Sequence, residues 1–586
     1  MLPSIISSFS RSTRAQLHAG SARRFASSGA LGLCLLIGGC AHLQAAASEQ
    51  DKAHTTQQNV IFILTDDQRY DQLGFMNPEI QTPNIDKLAS EGVHFKNAFV
   101  TTSLCSPSRA SILTGQYMHN HGVVDNNSSA KASSRFFPEY LQQAGYQTAF
   151  VGKWHMGGTG GNSHYTDDPQ PGFDYWLSFP GQGNYFPVKD ATGKTNSFNI
   201  NGKRVEQKAY ITDELTDYSL NWLNEQQKAS GANKKPFFLY LSHKAVHADF
   251  APAPRHENIY ANVDIALPDS MANTPENYVG KPMWVKNQRN SWHGVDFPYH
   301  STLNVAEYKR QYYRAIAAVD DSIGRIMQYL EDNQLKHNTS VFLMGDNGFL
   351  FGEHGLIDKR NAYEESIRVP LLLWSPSMVK PSQSIEKTAL GIDIAPTILD
   401  IAGAKSPSQF EGDSLLPLIN SRFESISGKR AAQWRDSFLY EYYWEFNYPH
   451  TPTTFALRTD KYKLIQYHGV WDTEELYDIQ NDPKEMNNLI EEPALLRTKV
   501  EMREKLFELL ADNDGNHTVP YTEKYNSGAV LRNKVGAKAA EFPNKWLRGE
   551  NAADRTQYFT PDRQLLERNE QEAKGQAKDQ AKSSTN

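Results

Sequence analysis

Four short apolar runs in this 586-residue chain each stop abruptly in residues that bind metals or move protons. NVIFIL (59–64) runs into Thr65-Asp66-Asp67, and YQTAFVG (146–152) into Lys153-Trp154-His155. PFFLYL (236–241) leads to Ser242-His243 and then His247, and SVFLM (340–344) to Gly345-Asp346-Asn347. A run that is apolar at every position and too short for a helix reads as a strand buried on both faces, the habit of parallel sheets. Between the runs apolar residues recur at helical spacing: Leu215, Tyr218 and Trp222 after Ile211, then Tyr308, Tyr312, Ile316, Val319, Ile323 and Ile326. This alternation predicts an α/β fold, a doubly wound and mostly parallel sheet flanked by helices. Ligands of such sheets bind beyond the carboxyl ends of the strands. Asp66, Asp67, Lys153, His155, His247, Asp346 and Asn347 are therefore expected along one edge. A single strand end of this kind is usually a solvated turn; four together point to a site.

The pattern changes near residue 425. From Ala432 to Ile490, aromatic and β-forming segments predict an antiparallel meander, with a helix following over about 491–510. The expected organisation is a catalytic domain over 56–425, a smaller C-terminal α+β domain built on an antiparallel sheet over 426–522, and an extension over 523–586, disordered from about 569. Residues 1–47 read as a secretory leader: Arg11, Arg14, Arg23 and Arg24, an apolar stretch from Ala30 to Gly39, then small residues to Ala47. Two endings stay open. Ala45-Ala46-Ala47 is an A-x-A cleavage site, whereas Ile37-Gly38-Gly39-Cys40 resembles a bacterial lipoprotein box. Either ending implies export from a bacterial cytoplasm to the periplasm, the exterior or the outer membrane. The second adds membrane attachment through a lipidated Cys40.

The chain has only 3 cysteines, which excludes a disulfide-stapled scaffold. Cys34 and Cys40 lie in the leader, so Cys105 is left to explain. A net charge of −7 argues against a nucleic-acid partner. In Cys105-Ser106-Pro107-Ser108-Arg109, Pro107 suits the first turn of a helix. Cys105 then stands just before a helix N-terminus, where an anion is favoured, and Arg109 lies one turn on. A lone cysteine is more often inert core, but the proline and arginine weigh against that reading.

CSPSR, followed by Thr114-Gly115, resembles the signature of type I sulfatases, within the alkaline phosphatase superfamily. NVIFILTDDQR at the start, GKWH at 152–155, GDNG at 345–348, GEHG at 352–355 and Lys359 fall in the family's order, and ELYDIQNDPKEMNNL from Glu475 resembles its C-terminal domain. The resemblance implies that a formylglycine-generating maturase oxidises Cys105 to formylglycine, whose hydrate attacks a sulfate ester. Asp66, Asp67, Asp346 and Asn347, with modified Cys105, would hold one Ca²⁺, a hard cation suited to oxygen ligands. Arg109 would stabilise the hydrate, Lys153 would pair with sulfate, Lys359 or His247 would protonate the leaving oxygen, and His155 would take the last proton. Many relatives place prolines around the third histidine. Here the string is Ala245-Val246-His247-Ala248-Asp249-Phe250, so His247 keeps the register and His243 stays open. Asp249 reads as a turn residue.

An acidic enzyme with an anionic substrate must gather its positive charge locally; Lys153, Arg109, Lys359, Arg69 and the cation can do so. QPGFDYW (170–176) and PGQGNY (180–185) form a polar, aromatic segment of a kind that suits sugar rings. The stretch from Arg109 to Val124 is similar to sulfatases of glycosaminoglycans and algal polysaccharides. A sulfated carbohydrate is the expected substrate. A phosphonate or phosphodiester hydrolase of the same superfamily is the alternative, and an inactive sulfatase-like binding protein a third.

Overall fold

Each of the four apolar runs is a strand in the computed structural model, which describes residues 58–515 apart from 158–165, 230–233, 297–303, 429, 446–447 and 469–471. The leader with Cys34 and Cys40, and the extension over 523–586, lie outside the described residues. In chain order the strands are β1 (Asn59–Thr65), β2 (Val93–Phe95), β3 (Ala98–Phe99), β4 (Gln147–Lys153), β5 (Tyr175–Phe179), β6 (Ser197–Ile200), β7 (Lys203–Glu206), β8 (Phe237–Ser242), β9 (Thr339–Gly345), β10 (Leu371–Trp374), β11 (Gln383–Ile385) and β12 (Ala389–Leu390). Ten of them form one sheet in the order β11-β2-β10-β9-β1-β8-β4-β5-β6-β7. The central block β9-β1-β8-β4-β5 is parallel throughout, with Val60 opposite both Phe238 and Ser340. On either side β10 and the β6–β7 hairpin run antiparallel, so the whole sheet is mixed. These flanking strands are short; β7 is largely exposed, whereas β10 (LLLW) is apolar and buried throughout.

Alternate residues of β1 serve two cores. Ile61 and Ile63 pack with Leu215, Leu223, Ile316 and Ile323 from the helices Ile211–Gln227 and Val305–Asp332. Val60, Phe62 and Leu64 pack on the opposite face with Ile112 and Leu113 of the helix Cys105–Thr114 and with Ile398 of the helix Ile394–Ile401. Helices on both faces are what a parallel block buried on both sides requires.

The expected meander comprises β13 (Ser437–Tyr442), β14 (Thr453–Thr459), β15 (Tyr462–His468) and β16 (Glu475–Asp478), each antiparallel to the next. Its covering helix runs Leu496–Asp512 and buries Met502, Leu506 and Leu510. It begins later than 491 because Pro493 opens a short 3₁₀ turn first. This sheet shares its core with the catalytic part: Phe438, Leu457 and Tyr477 pack with Phe99, Leu104, Leu356 and Tyr363. His119 is a second tie. Its Nδ1–H donates to Glu441 at 2.7 Å and its Nε2–H to the carbonyl of Asn513 at 2.6 Å.

Two outcomes follow from these contacts. Gly152 has φ 126°, and a Cβ there would lie 1.8 Å from the carbonyl oxygen of Ser242 on β8. Gly152→Ala should cost about 3 kcal/mol or more in thermal unfolding. Gly403→Ala, also at positive φ but facing open space, should cost only about 1–2 kcal/mol. Burial disfavours charge on His119, but Glu441 and the Asn513 carbonyl outweigh it and lift the imidazole from 6.5 to about 9. Stability from this pair is complete below pH 6.5 and is lost as pH rises through about 9. Tm should fall across that window in the parent protein, and His119→Gln should lack this component of the slope.

Candidate active site

The helix Cys105–Thr114 starts at Cys105 itself, one residue sooner than Pro107 suggests, and it ends on Gly115 at φ 64°. Its first residues meet the carboxyl ends of the parallel strands. The Cys105 thiol is wholly buried. It accepts a hydrogen bond from the Lys359 ammonium at 2.8 Å and donates to Asp66 Oδ1 at 3.4 Å. Burial, reinforced by Asp66, pushes the thiol up to about 12. Reactive thiolates are held low by positive surroundings; here burial outweighs the neighbouring Lys153 and Lys359 ammonium groups.

Three carboxylates and three cations surround it, all nearly without solvent exposure. Asp66 and Asp67 follow β1, and Asp67 takes φ 59°. Asp346 follows β9 and accepts from the Asp67 backbone N–H at 3.0 Å. Lys153 pairs with Asp66, and Lys359 with Asp67. Arg109 places Nε 2.9 Å and Nη2 2.8 Å from Asp346 Oδ2, while Nη1 donates to the Lys153 carbonyl and to Ser242 Oγ, each at 2.7 Å. Burial raises Asp66, but Lys153, His247 and Arg109 prevail and hold it well below the usual carboxylate range. Burial and the neighbouring Asp66 push Asp346 up to about 7. Asn347 Nδ2 donates to Asp67 at 2.6 Å, and its Oδ1 is buried with no hydrogen-bond partner among the described residues. Three carboxylates beside an orphaned amide oxygen suit a hard divalent cation.

Two histidines complete the ring. His155, two residues beyond β4, keeps Nδ1 3.3 Å from Ser106 Oγ, and the same hydroxyl donates to the His155 carbonyl. His247 lies on the loop after β8, which is laced to Asp66 by backbone bonds of 3.0 and 2.8 Å through Ala245 and Val246. Its Nδ1–H donates to the Ala248 carbonyl at 2.6 Å, leaving Nε2 3.8 Å from Asp67 Oδ2. Burial holds both imidazoles well below 6.5. The alternative, His243, points the other way and meets Ser322 Oγ of the long helix at 3.1 Å. Arg69 is also turned aside, toward Asp71 and Glu353. Asp249 is exposed.

The aromatic segment after GKWH does not form the expected sugar platform. Trp176 is buried against Phe150 and Trp154, and Tyr185 stacks on Tyr210. The segment meets the site through Gln182, whose Nε2 lies 3.0 Å from His155 Nε2. Ser106, Asn126 and Gln182 carry no individual signal, although CSPSR and PGQGNY stand out as segments. Asn126 Oδ1 accepts from the Ser106 N–H at 3.1 Å.

Residues 58–404 match the sulfatase family model, and residues 352–512 match the N-sulphoglucosamine sulphohydrolase C-terminal model. The chain belongs to the sulfatase family. It is thus a sulfuric ester hydrolase. The sulfatase is 32% identical to an N-acetylglucosamine-6-O-sulfatase of Bacteroides thetaiotaomicron over 532 residues, covering 80% of this chain and 90% of that one. It is 32% identical to human N-acetylglucosamine-6-sulfatase over 444 residues, covering 73% and 74%. Among solved structures it resembles a protein in complex with its substrate D-glucosamine-2-N,6-O-disulfate, with TM-score 0.65 and 31% identity, covering 79% of this chain and 99% of that one. The large mixed sheet with its smaller antiparallel companion is the architecture of these neighbours.

Arg109→Ala in the sulfatase should leave Asp346 and Asp66 undercompensated, at a cost of about 3–5 kcal/mol in urea unfolding. Arg109→Lys should recover part of that, because it restores charge without the two-pronged geometry.

Proposed function

We propose that this sulfatase removes the 6-O-sulfate of glucosamine-type residues in sulfated carbohydrates, using formylglycine made from Cys105 and one Ca²⁺. The observation that carries the reading is Cys105 itself: a fully buried side chain at a helix start, between Lys359 and Asp66. The relatives at 31–32% identity whose names specify glucosamine sulfates support the substrate class. Glycosaminoglycan or algal polysaccharide fragments are the natural source of such groups.

Asp66, Asp67, Asp346 and Asn347 would hold the cation, which supplies positive charge toward the sulfate oxygens. The aldehyde hydrate of formylglycine supplies the attacking hydroxyl. Arg109, fixed by Asp346 and Ser242, holds its charge beside residue 105 without needing to reorganise. Lys153 and Lys359 face the same place with ammonium groups that can accompany the sulfate oxygens as charge develops. Asp67 first and the other acids after it outweigh burial and keep the Lys359 ammonium protonated far above neutrality. We therefore assign to Lys359 the proton delivered to the leaving oxygen, a strongly basic alkoxide. His247 is the second candidate: its neutral ring has its one N–H on Ala248, so it must gain a proton before it can donate from Nε2. His155, kept neutral by burial, is suited to accept the proton from residue 105 that closes the cycle. The leader, with Arg11, Arg14, Arg23 and Arg24 ahead of its apolar stretch, supports an enzyme working outside the cytoplasm, free or anchored through Cys40.

Mass spectrometry of the Cys105 peptide, from protein made together with a formylglycine-generating enzyme, tests the nucleophile. Formylglycine is expected, with sulfate released from glucosamine-6-sulfate and little hydrolysis of a matched aryl phosphonate ester. Chelation with EGTA should abolish turnover, and Ca²⁺ should restore it. An active protein that retains the thiol, or one that prefers the phosphonate, contradicts the reading.

A further inference from the structure

The turn Pro180-Gly181-Gln182-Gly183 lies just beyond the carboxyl end of β5, beside the strand that delivers His155. Its path is tightly set. Gly183 N–H donates to the Pro180 carbonyl at 3.3 Å, both glycines take positive φ (55° and 65°), and a Cβ on Gly183 would lie 2.4 Å from the Phe179 ring. Two residues on, buried Tyr185 donates its hydroxyl to the His247 carbonyl at 2.7 Å. One segment therefore touches both histidines of the site, through Gln182 and through Tyr185.

The two ends of the Gln182 amide differ in their state. Ser106 Oγ–H is committed to the His155 carbonyl, so this oxygen is left to accept from His155 Nδ1–H. His155 Nε2 then carries the ring's one lone pair, which in the resting site accepts from Gln182 Nε2–H at 3.0 Å and has to be released from it before the ring can take a proton. Gln182 Oε1, in contrast, is buried and has no hydrogen-bond partner among the described residues. Buried acceptors are almost always satisfied, and a site left with one favours a ligand that brings the missing donor. Its neighbour His155 is the proposed base on residue 105, and a substrate bound there can bring that donor.

We propose that Gln182 recognises the sugar: its Oε1 accepts a hydroxyl of the residue being desulfated, while its N–H holds the imidazole of His155. This rests on the carbohydrate reading above and deepens it, because a sulfate ester without ring hydroxyls cannot make the contact. Gln182 is thus both a specificity-determining residue and a positioning residue for the base.

The test compares glucosamine-6-sulfate with 4-nitrophenyl sulfate, which has no hydroxyl to offer, in the parent enzyme, Gln182→Leu and Gln182→Glu. In Gln182→Leu, kcat/KM for the sugar should fall about tenfold further than for the aryl ester, the equivalent of one lost hydrogen bond. Gln182→Glu keeps an acceptor and should retain more of the preference for the sugar. Among monodeoxy analogues of the sugar, one should be a poorer substrate for the parent but no worse than its hydroxylated counterpart for Gln182→Leu. A ¹⁵N-edited imidazole spectrum should show His155 as a single Nδ1–H tautomer in the parent and a mixture in Gln182→Leu. Equal losses on both substrates, or no deoxy analogue that distinguishes the variant, overturn the inference while leaving the proposed function standing. A parent enzyme that cleaves the aryl ester and spares the sugar overturns both.

Discussion

The fold is organised around a charge problem. Asp66, Asp67 and Asp346 are carried into the interior by the ends of two buried strands, β1 and β9, and buried carboxylates are tolerated only when they are matched. The match comes from three separate places: Arg109 from the helix of the other layer, Lys153 from β4, and Lys359 from the loop that runs toward the C-terminal sheet. Each cation is delivered by a different element, so the charges are matched only when the strand, the helix and the Lys359 loop are all in position. Local charge balance thereby becomes a condition on global assembly. The same balance permits a chain with net charge −7 to present a positive face to an anion.

What was legible in the sequence followed from burial. A parallel strand covered on both faces has to be apolar at each position, so β1, β4, β8 and β9 announce themselves and their polar ends mark the site. The expected parallel block is there; largely exposed flanking strands such as β7 leave no such trace, and β10, although buried and apolar, pairs antiparallel with β9, because an apolar run does not fix strand direction. Residues recognised by type and spacing, from Asp66 to Lys359, converge as expected. Gln182 and Ser106 could not be read, because an amide or a hydroxyl in a turn looks the same whether it holds a catalytic ring or meets water. The aromatic residues near 170–185 misled for a related reason: Trp176 and Tyr185 suit a sugar surface, but they suit a core equally, and here the core takes them.

The C-terminal sheet is more than an appendage. Its apolar face completes the core beneath Leu104 and Leu356, so it supports the stretches that present Cys105 and Lys359. Composition placed a boundary near residue 425, because sequence character changes there, but packing has no matching seam. His119, held by β13 and the end of the last helix, ties the region after the Cys105 helix to the same support.

The burial of Cys105 imposes an order of events on the life of the chain. A side chain with no exposed surface cannot be reached by a second protein once the helix, the strand ends and Lys359 have closed over it. Any enzyme that oxidises it must meet an extended segment, while CSPSR is still a linear peptide and before the core forms. The proposed maturation and folding would therefore compete for the same stretch of chain, and a molecule that folded first would keep its thiol.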